Sequence, residues 1–304
     1  MNPTGQGVAA AVLSNILFGV IYLYSAWLKP LSGTDVFAWR MVVMLGGLWL
    51  LVFATGAWPQ LKAFLRETGR NWRRWAGILA ATPLVAAQLW LFMWAPVNGH
   101  GVNAATGYFL FPLMMVVFAR LFLGERPNRW QKVALALAAA GVLYEIWQTQ
   151  ALAWTTWAVC LGYPPYYLLR RQMRVPALFG LLIDLTVIAP FAALYLWLNG
   201  SGMGDAAWSW KYLLLIPLLG ILSAASMQLN LNASRLLPVP LFGILSYLEP
   251  VLLFLGAWLL LDTPVAAESW PAYALIIAAL AVSGFDGLLK LCRTRYAKVP
   301  VQAV

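Results

Sequence analysis

The chain has 304 residues, 62% of them hydrophobic and only 10% charged, and a net charge of +10. A soluble domain carries about 25% charged residues, so this chain cannot cover itself with water-compatible surface. Two cysteines and one histidine exclude a disulfide framework, a multi-histidine metal site and the HExxH protease pattern, and neither metal nor cofactor is expected.

A spanning helix needs ~20 mainly apolar residues. In lipid such runs must be helices, because strands would leave backbone groups unpaired. Met1 to Gly7 has no lysine or arginine and lacks a signal peptide's basic leader, so the first apolar run is predicted to be a retained helix. The predicted spans are 8–28, 37–57, 75–96, 104–123, 131–148, 151–169, 177–198, 211–232, 239–261 and 270–290. Only Gln148, Thr149 and Gln150 mark the break between the fifth and sixth, but one helix over 131–169 would be too long for a single crossing. The expectation is an all-α membrane protein of ten transmembrane helices.

Basic residues sort by side. Lys62, Arg66, Arg70, Arg73, Arg74, Arg126, Arg129, Lys132, Arg170, Arg171, Arg174 and Arg235 fall in one set of loops, joined by Lys290, Arg293, Arg295 and Lys298 at the C-terminus. The other set holds only Lys29 and Lys211. Cytoplasmic loops are enriched in lysine and arginine, so both termini are predicted to be cytoplasmic. Charge sorted this way forms no single patch, which argues against nucleic-acid binding. Several of the 17 tryptophans, including Trp27, Trp58, Trp72 and Trp154, fall near span ends, as an interfacial belt requires.

Tyr108 to Leu123 (YFLFPLMMVVFARLFL) parallels Ser246 to Leu261 (SYLEPVLLFLGAWLLL): Pro112 aligns with Pro250, Ala119 with Ala257 and Leu123 with Leu261. A short polar turn and an alanine-rich helix follow each. The alternative is that two apolar helices look alike by chance, but matching proline and turn positions favour a repeat. The chain then divides into 1–149 and 150–304, two five-helix halves. Five is odd, so the halves are inverted in the membrane, an arrangement found in secondary transporters with a site between them near the midplane.

GYFLFPL…LFLGERP…W at 107–130 and SYLEPVL…LLLDTP at 246–264 resemble the drug/metabolite transporter superfamily with its paired EamA repeats. TDVFAWR at 34–40 and LWLFMWAPVNGHGVNAATGYF at 89–109 are similar to its RarD branch. The resemblance implies ten helices, inner-membrane residence and a permease role, with no defined substrate. One departure is that Thr263 stands where the family usually has a glutamate, although Glu125 is present in the first repeat.

Ionisable groups inside a bilayer are costly and mark candidate sites. Arg40 in span 2 could hold an anionic substrate group or act as a gate; a structural ion pair or snorkelling is the alternative. The resemblance favours the cavity or gate role. Glu249, directly before Pro250, suits proton coupling or cation binding, against a role in capping backbone freed by the proline. Asp184 in span 7 is a second proton-coupling candidate, against an interhelical hydrogen bond. Glu145, Asp286 and Arg120 are expected as interfacial residues. Asn15 and Gln88 are buried amides that need partners. Tyr108 and Tyr247 supply hydroxyls, as do Tyr163, Tyr166, Tyr167 and Ser246. Trp90 and Trp94 share a helix face, with Gln88 about 160° away from Trp90. Pro164-Pro165 can kink span 6. Gly202-Met203-Gly204-Asp205 reads as an outer-loop turn, despite its GxGD spelling, and His100 as a loop residue.

No GxxxxGK[ST] occurs, so the chain does not power itself with ATP. The leading expectation is a secondary active or facilitative transporter, in the exporting direction, of small organic metabolites or amphipathic drugs. It would work by alternating access between the two repeats, with protons as an allowed coupling ion. The alternatives are a membrane-embedded enzyme acting on a lipid-like substrate, which would need a nucleophile or metal cluster that is not visible, and a non-transporting partner subunit. The oligomeric state is open.

Overall fold

A computed structural model of the protein describes residues 3–28, 30–125, 127–150, 153–199, 210–252, 268 and 270–296. Lys29, Arg126, the 202–205 turn, Trp208, the second half of the ninth predicted span, Thr263 and Lys298 lie outside the described residues, as do the side chains from Asp286 onward. Among the described residues every regular element is helical. In chain order the helices are α1 (Pro3–Trp27), α2 (Gly33–Ala54), α3 (Trp58–Thr68), α4 (Trp72–Val97), α5 (Gly101–Phe118), α6 (Arg129–Thr149), α7 (Trp154–Gln172), α8 (Ala177–Leu198), α9 (Trp210–Leu236), α10 (Val239–Leu245) and α11 (Trp270–Tyr296).

Local sequence sets several boundaries. Ser32 and Asp35 form a reciprocal capping box at the start of α2, and Asn128 and Gln131 form another at α6; each satisfies donors that a helix start leaves open. Gln150 takes a left-handed conformation, φ 50°, where α6 ends, so the 131–169 stretch is two helices. Residues 177–198 form α8 with the predicted bounds.

Among the described residues six helical stretches are long and apolar enough to cross a membrane: Pro3–Ile21, Gly33–Ala54, Trp72–Ala95, Thr106–Leu123, Ala177–Leu198 and Trp210–Leu236. Shorter apolar stretches run over Leu241–Leu252 and Trp270–Val282. α6 and α7, expected as spans five and six, are not among the six; α7 carries two threonines, three tyrosines and two arginines.

Three local features depart from the expectation. α3 is an amphipathic helix where a basic loop was predicted; its buried face is Leu61, Phe64 and Thr68. Too few residues are apolar there for a span, but the three-to-four spacing is helical. The ninth span is broken: α10 stops at Leu245, Ser246 and Tyr247 form a turn, and helix resumes over 248–252. Pro250 has no N–H to return to Ser246, which weakens the ladder at that point. Finally, α5 runs into a π-helical turn at Ala119–Leu123.

The main packing pairs are α1 with α9, α4 with α7, α2 with both α8 and α9, α4 with α8, α5 with α7 and α10, and α6 with α11. Close crossings rest on small residues, as is usual in membranes. A β-carbon added at Gly220 on α9 would lie 2.7 Å from the Val43 carbonyl carbon and Cγ2 on α2, whereas one added at Gly46 meets nothing within 4 Å. Gly220→Ala is therefore expected to destabilise the α2–α9 crossing by ~1–3 kcal/mol, and Gly46→Ala to stabilise by up to ~1 kcal/mol through helix propensity. Thermal unfolding in detergent checks the opposite signs.

Candidate functional site

A small cavity of about 30 Å³ lies in the interior of the bundle, room for roughly two waters. Its charged walls are Arg40 from α2 and Glu249, just past the break in the ninth span. Phe92, Tyr108, Phe111, Tyr163 and Tyr167 supply aromatic walls from α4, α5 and α7. Asn230 on α9 and Ser246 in the turn complete its polar lining.

Arg40 is fully buried. Its Nε donates to Ser223 Oγ at 2.8 Å, and its guanidinium lies 5.7 Å from the centre of the Phe92 ring. Nη1 and Nη2 have no hydrogen-bond partner among the described residues. Neither Arg40 nor Glu249 takes part in an ion pair there, although Glu249, Tyr108 and Tyr163 all lie within electrostatic reach of the guanidinium. A buried cation with open donors costs several kcal/mol, and a buried unsatisfied group calls for an explanation. Here the open donors line a cavity.

The aromatic wall is held as a unit. Phe92 meets Tyr108 edge-on at 5.9 Å, Tyr108 lies 6.0 Å from Tyr163, and Tyr163 stacks with Tyr167 at 6.1 Å. The Tyr167 hydroxyl donates to Asn230 Oδ1 at 2.5 Å, tying α7 to α9.

Of the residues picked from sequence, Arg40, Tyr108, Tyr163, Tyr167, Ser246 and Glu249 line this cavity. The others do not. Asp184 is fully buried and held by a salt bridge from Arg170, a 2.6 Å hydrogen bond from Thr82 and a longer one from Tyr166 at 3.4 Å. It joins α4, α7 and α8 and does not line the cavity. Asn15 donates to the Leu245 carbonyl at 3.2 Å, at the edge of the helix break. Gln88 donates to the Ala158 carbonyl on α7 at 2.8 Å. Trp90 and Trp94 stack at 4.8 Å, and Trp94 extends the stack to His100 at 5.3 Å and Trp154 at 5.9 Å. His100 lies in the turn before α5, as its reading as a loop residue has it, and there its ring joins this aromatic cluster. Tyr247 is fully buried in a second apolar cluster with Ile244, Val251 and Ile276. Glu145 lies about one turn from the end of α6, where it was expected, but its side chain is buried, within one turn of Val142 of the second cluster.

Sequence reasoning missed two residues here. Asn230 went unweighed, although Ser223, Met227 and Asn230 share one face of α9 at helical spacing. Arg170 was counted as a loop charge, but it sits within the last turn of α7 and turns inward. Its neighbour Arg171 pairs with Glu125 at 2.7 Å and donates to the Leu237 carbonyl at 3.3 Å. Glu125 also accepts from the Val239 N–H at 2.8 Å, capping α10.

Apolar helices long enough to cross a bilayer, packed around a charged interior cavity, make this a multi-pass membrane protein. The model of the EamA-like transporter family matches residues 5–146. An "uncharacterized transporter" of Haemophilus influenzae is 45% identical over 97% of this chain and 99% of its own length. The "chloramphenicol-sensitive protein RarD" of Pseudomonas aeruginosa is 42% identical over 94% of this chain and 96% of its own. A solved crystal structure, 20% identical, shares the fold with a TM-score of 0.64 over 91% of this chain and 95% of that one. The chain belongs to the EamA-like transporter family of the drug/metabolite transporter superfamily, as a RarD-like permease.

Proposed function

We propose that the protein is a ten-span secondary transporter, in the exporting direction, for small organic metabolites or amphipathic drugs that carry an anionic group. The observation that carries this reading is the Arg40 guanidinium, buried in an aromatic cavity, two of whose nitrogens lack hydrogen-bond partners among the described residues. A carboxylate or phosphate on the cargo would supply them. Glu249, on the same cavity, is the proton or cation site. Asp184 already has Arg170 as counter-ion, so the coupling role falls to Glu249.

The packing supports two inverted halves, 1–149 and 150–304. Exchanging α1 with α7, α2 with α8, α4 with α9, α5 with the ninth span and α6 with α11 turns the α1–α9 contact into α7–α4, and α2–α9 into α8–α4. The α2–α8, α5–α10 and α6–α11 contacts map onto themselves. With both termini cytoplasmic, the Glu125–Arg171 pair and the Val239 cap sit on the inner side, closing it. A cavity this small admits cargo only when the walls part, which suits alternating access. A partner subunit would be served by an apolar core; the charged cavity supports a carrier.

The test is a metabolite comparison between cells lacking and overproducing the protein, then flux of the responding compound in proteoliposomes. Chloramphenicol belongs in the panel, since it is in the Pseudomonas relative's name. If no compound shifts between the strains and none crosses the reconstituted membrane, the reading is lost. Glu249→Gln is expected to remove the dependence of that flux on a pH gradient, with gradient-free exchange retained. An unchanged pH profile would move the coupling away from this cavity.

A further inference from the structure

We infer that the groove between α3 and the α7–α8 turn is a binding site for the headgroup of an anionic phospholipid. This rests on the cytoplasmic placement of that face proposed above. The groove encloses about 560 Å³. Its floor is apolar, built from Phe64, Met173, Pro176 and Phe179, with the Phe64 and Phe179 rings 5.8 Å apart. Its rim is polar and carries Arg74 and Arg174.

α3 buries Leu61 and Phe64 and leaves Trp58 and Leu65 partly exposed. Its apolar face packs on the protein, and the exposed Trp58 and Leu65 beside basic side chains suit a helix at the membrane surface. From 58 to 74 the chain holds Lys62, Arg66, Arg70, Arg73 and Arg74, with Glu67 as the acid among them. Such a cluster complements the negative cytoplasmic leaflet.

Two details make this a site within a wider basic surface. Arg174 has φ 51°, a left-handed conformation that costs energy for a residue without special tolerance of it, and it places a guanidinium on the groove rim. Arg74 is engaged at 2.9 Å by Glu67, whose side chain is 70% exposed. An exposed pair of that kind is weak, so a lipid phosphate can take its place. The apolar side chains left open, Met173 and Pro176 in the groove and Trp58 and Leu65 on α3, distinguish a lipid from free phosphate, because only a headgroup with acyl chains attached gains by covering them.

The experiment uses the full chain, purified in detergent. Native mass spectrometry and thermal unfolding are compared with phosphatidylglycerol, phosphatidylcholine and glycerol phosphate. Retention of phosphatidylglycerol is expected to exceed that of phosphatidylcholine by about tenfold or more. Arg74→Gln with Arg174→Asn should erase the preference; asparagine tolerates the left-handed backbone. Arg129→Gln with Lys132→Gln, the same charge loss at the exposed start of α6, should preserve it. If the first pair does not fold, Arg74→Lys with Arg174→Lys serves, and should weaken selectivity without abolishing it. Equal loss in the α6 control would mean diffuse attraction and overturn the site. Equal stabilisation by glycerol phosphate would overturn the lipid assignment. Neither readout involves cargo flux, so failure here is separable from failure of the transport reading.

Discussion

Replacing Arg40 with Met is expected to cut transport by roughly 100-fold while making the protein harder to unfold. The two effects have one cause. Arg40 is fully buried, with two guanidinium nitrogens that have no hydrogen-bond partner among the described residues, and replacing it with an apolar side chain of similar length relieves the desolvation cost of a buried ion, several kcal/mol. The lost bond to Ser223 Oγ gives back about 1 kcal/mol. Cargo binding loses charge-assisted hydrogen bonds, ~1.5–3 kcal/mol each, so one or two such bonds account for the fall in flux. Arg40→Lys keeps the charge but loses the planar fork, and should transport at an intermediate rate. Thermal unfolding in detergent and proteoliposome flux of the same preparations check both halves. A variant that melts earlier and still transports would show that Arg40 is a structural cation.

Asp184→Asn is expected to do the reverse. It removes the counter-ion of Arg170 inside the protein, where breaking one partner of a buried pair costs ~3–5 kcal/mol. Thr82 and Tyr166 would also lose their ionised acceptor. Transport should fall only in proportion to folded protein. The double change Asp184→Leu with Arg170→Met removes both charges and should recover most of the lost stability. If Asp184→Asn keeps wild-type stability but loses pH-dependent flux, the coupling site includes Asp184 after all. Arg40 and Arg170 thus separate by ion pairing: each has two guanidinium nitrogens without a hydrogen-bond partner among the described residues, but Arg170 is paired with Asp184 and Arg40 has no ion pair there.

Most helices were legible because a bilayer enforces long apolar runs, and α8 and the break at Gln150 fall where hydropathy and a polar tripeptide place them. Apolar runs say little about rotation about the helix axis. Arg170 and Arg171 are adjacent in sequence, yet a turn of about 100° between neighbours sends one to Asp184 and the other to Glu125. Arg40 and Glu249 were recognisable singly, as charges where charges are expensive. Their meeting was not, because it depends on how α2 packs relative to a broken ninth span. The Trp90–Trp94 pair was correctly placed on one face, but that face looks toward His100 and Trp154 and away from the cavity. α3 was missed for a simpler reason: eleven amphipathic residues do not register in a search for spans.

The packing order is at odds with the order of synthesis. α1 leaves the ribosome well before its principal neighbour, α9, and the Asn15 amide finds its carbonyl at Leu245, 230 residues further on. During most of translation α1 therefore lies in lipid without its seat, and Glu125 waits 114 residues for the Val239 amide it caps. Contacts this distant in sequence are slow to form. Chains stopped before α9 would carry an unseated first helix with a polar amide facing lipid, a mark by which membrane quality control could recognise unfinished copies.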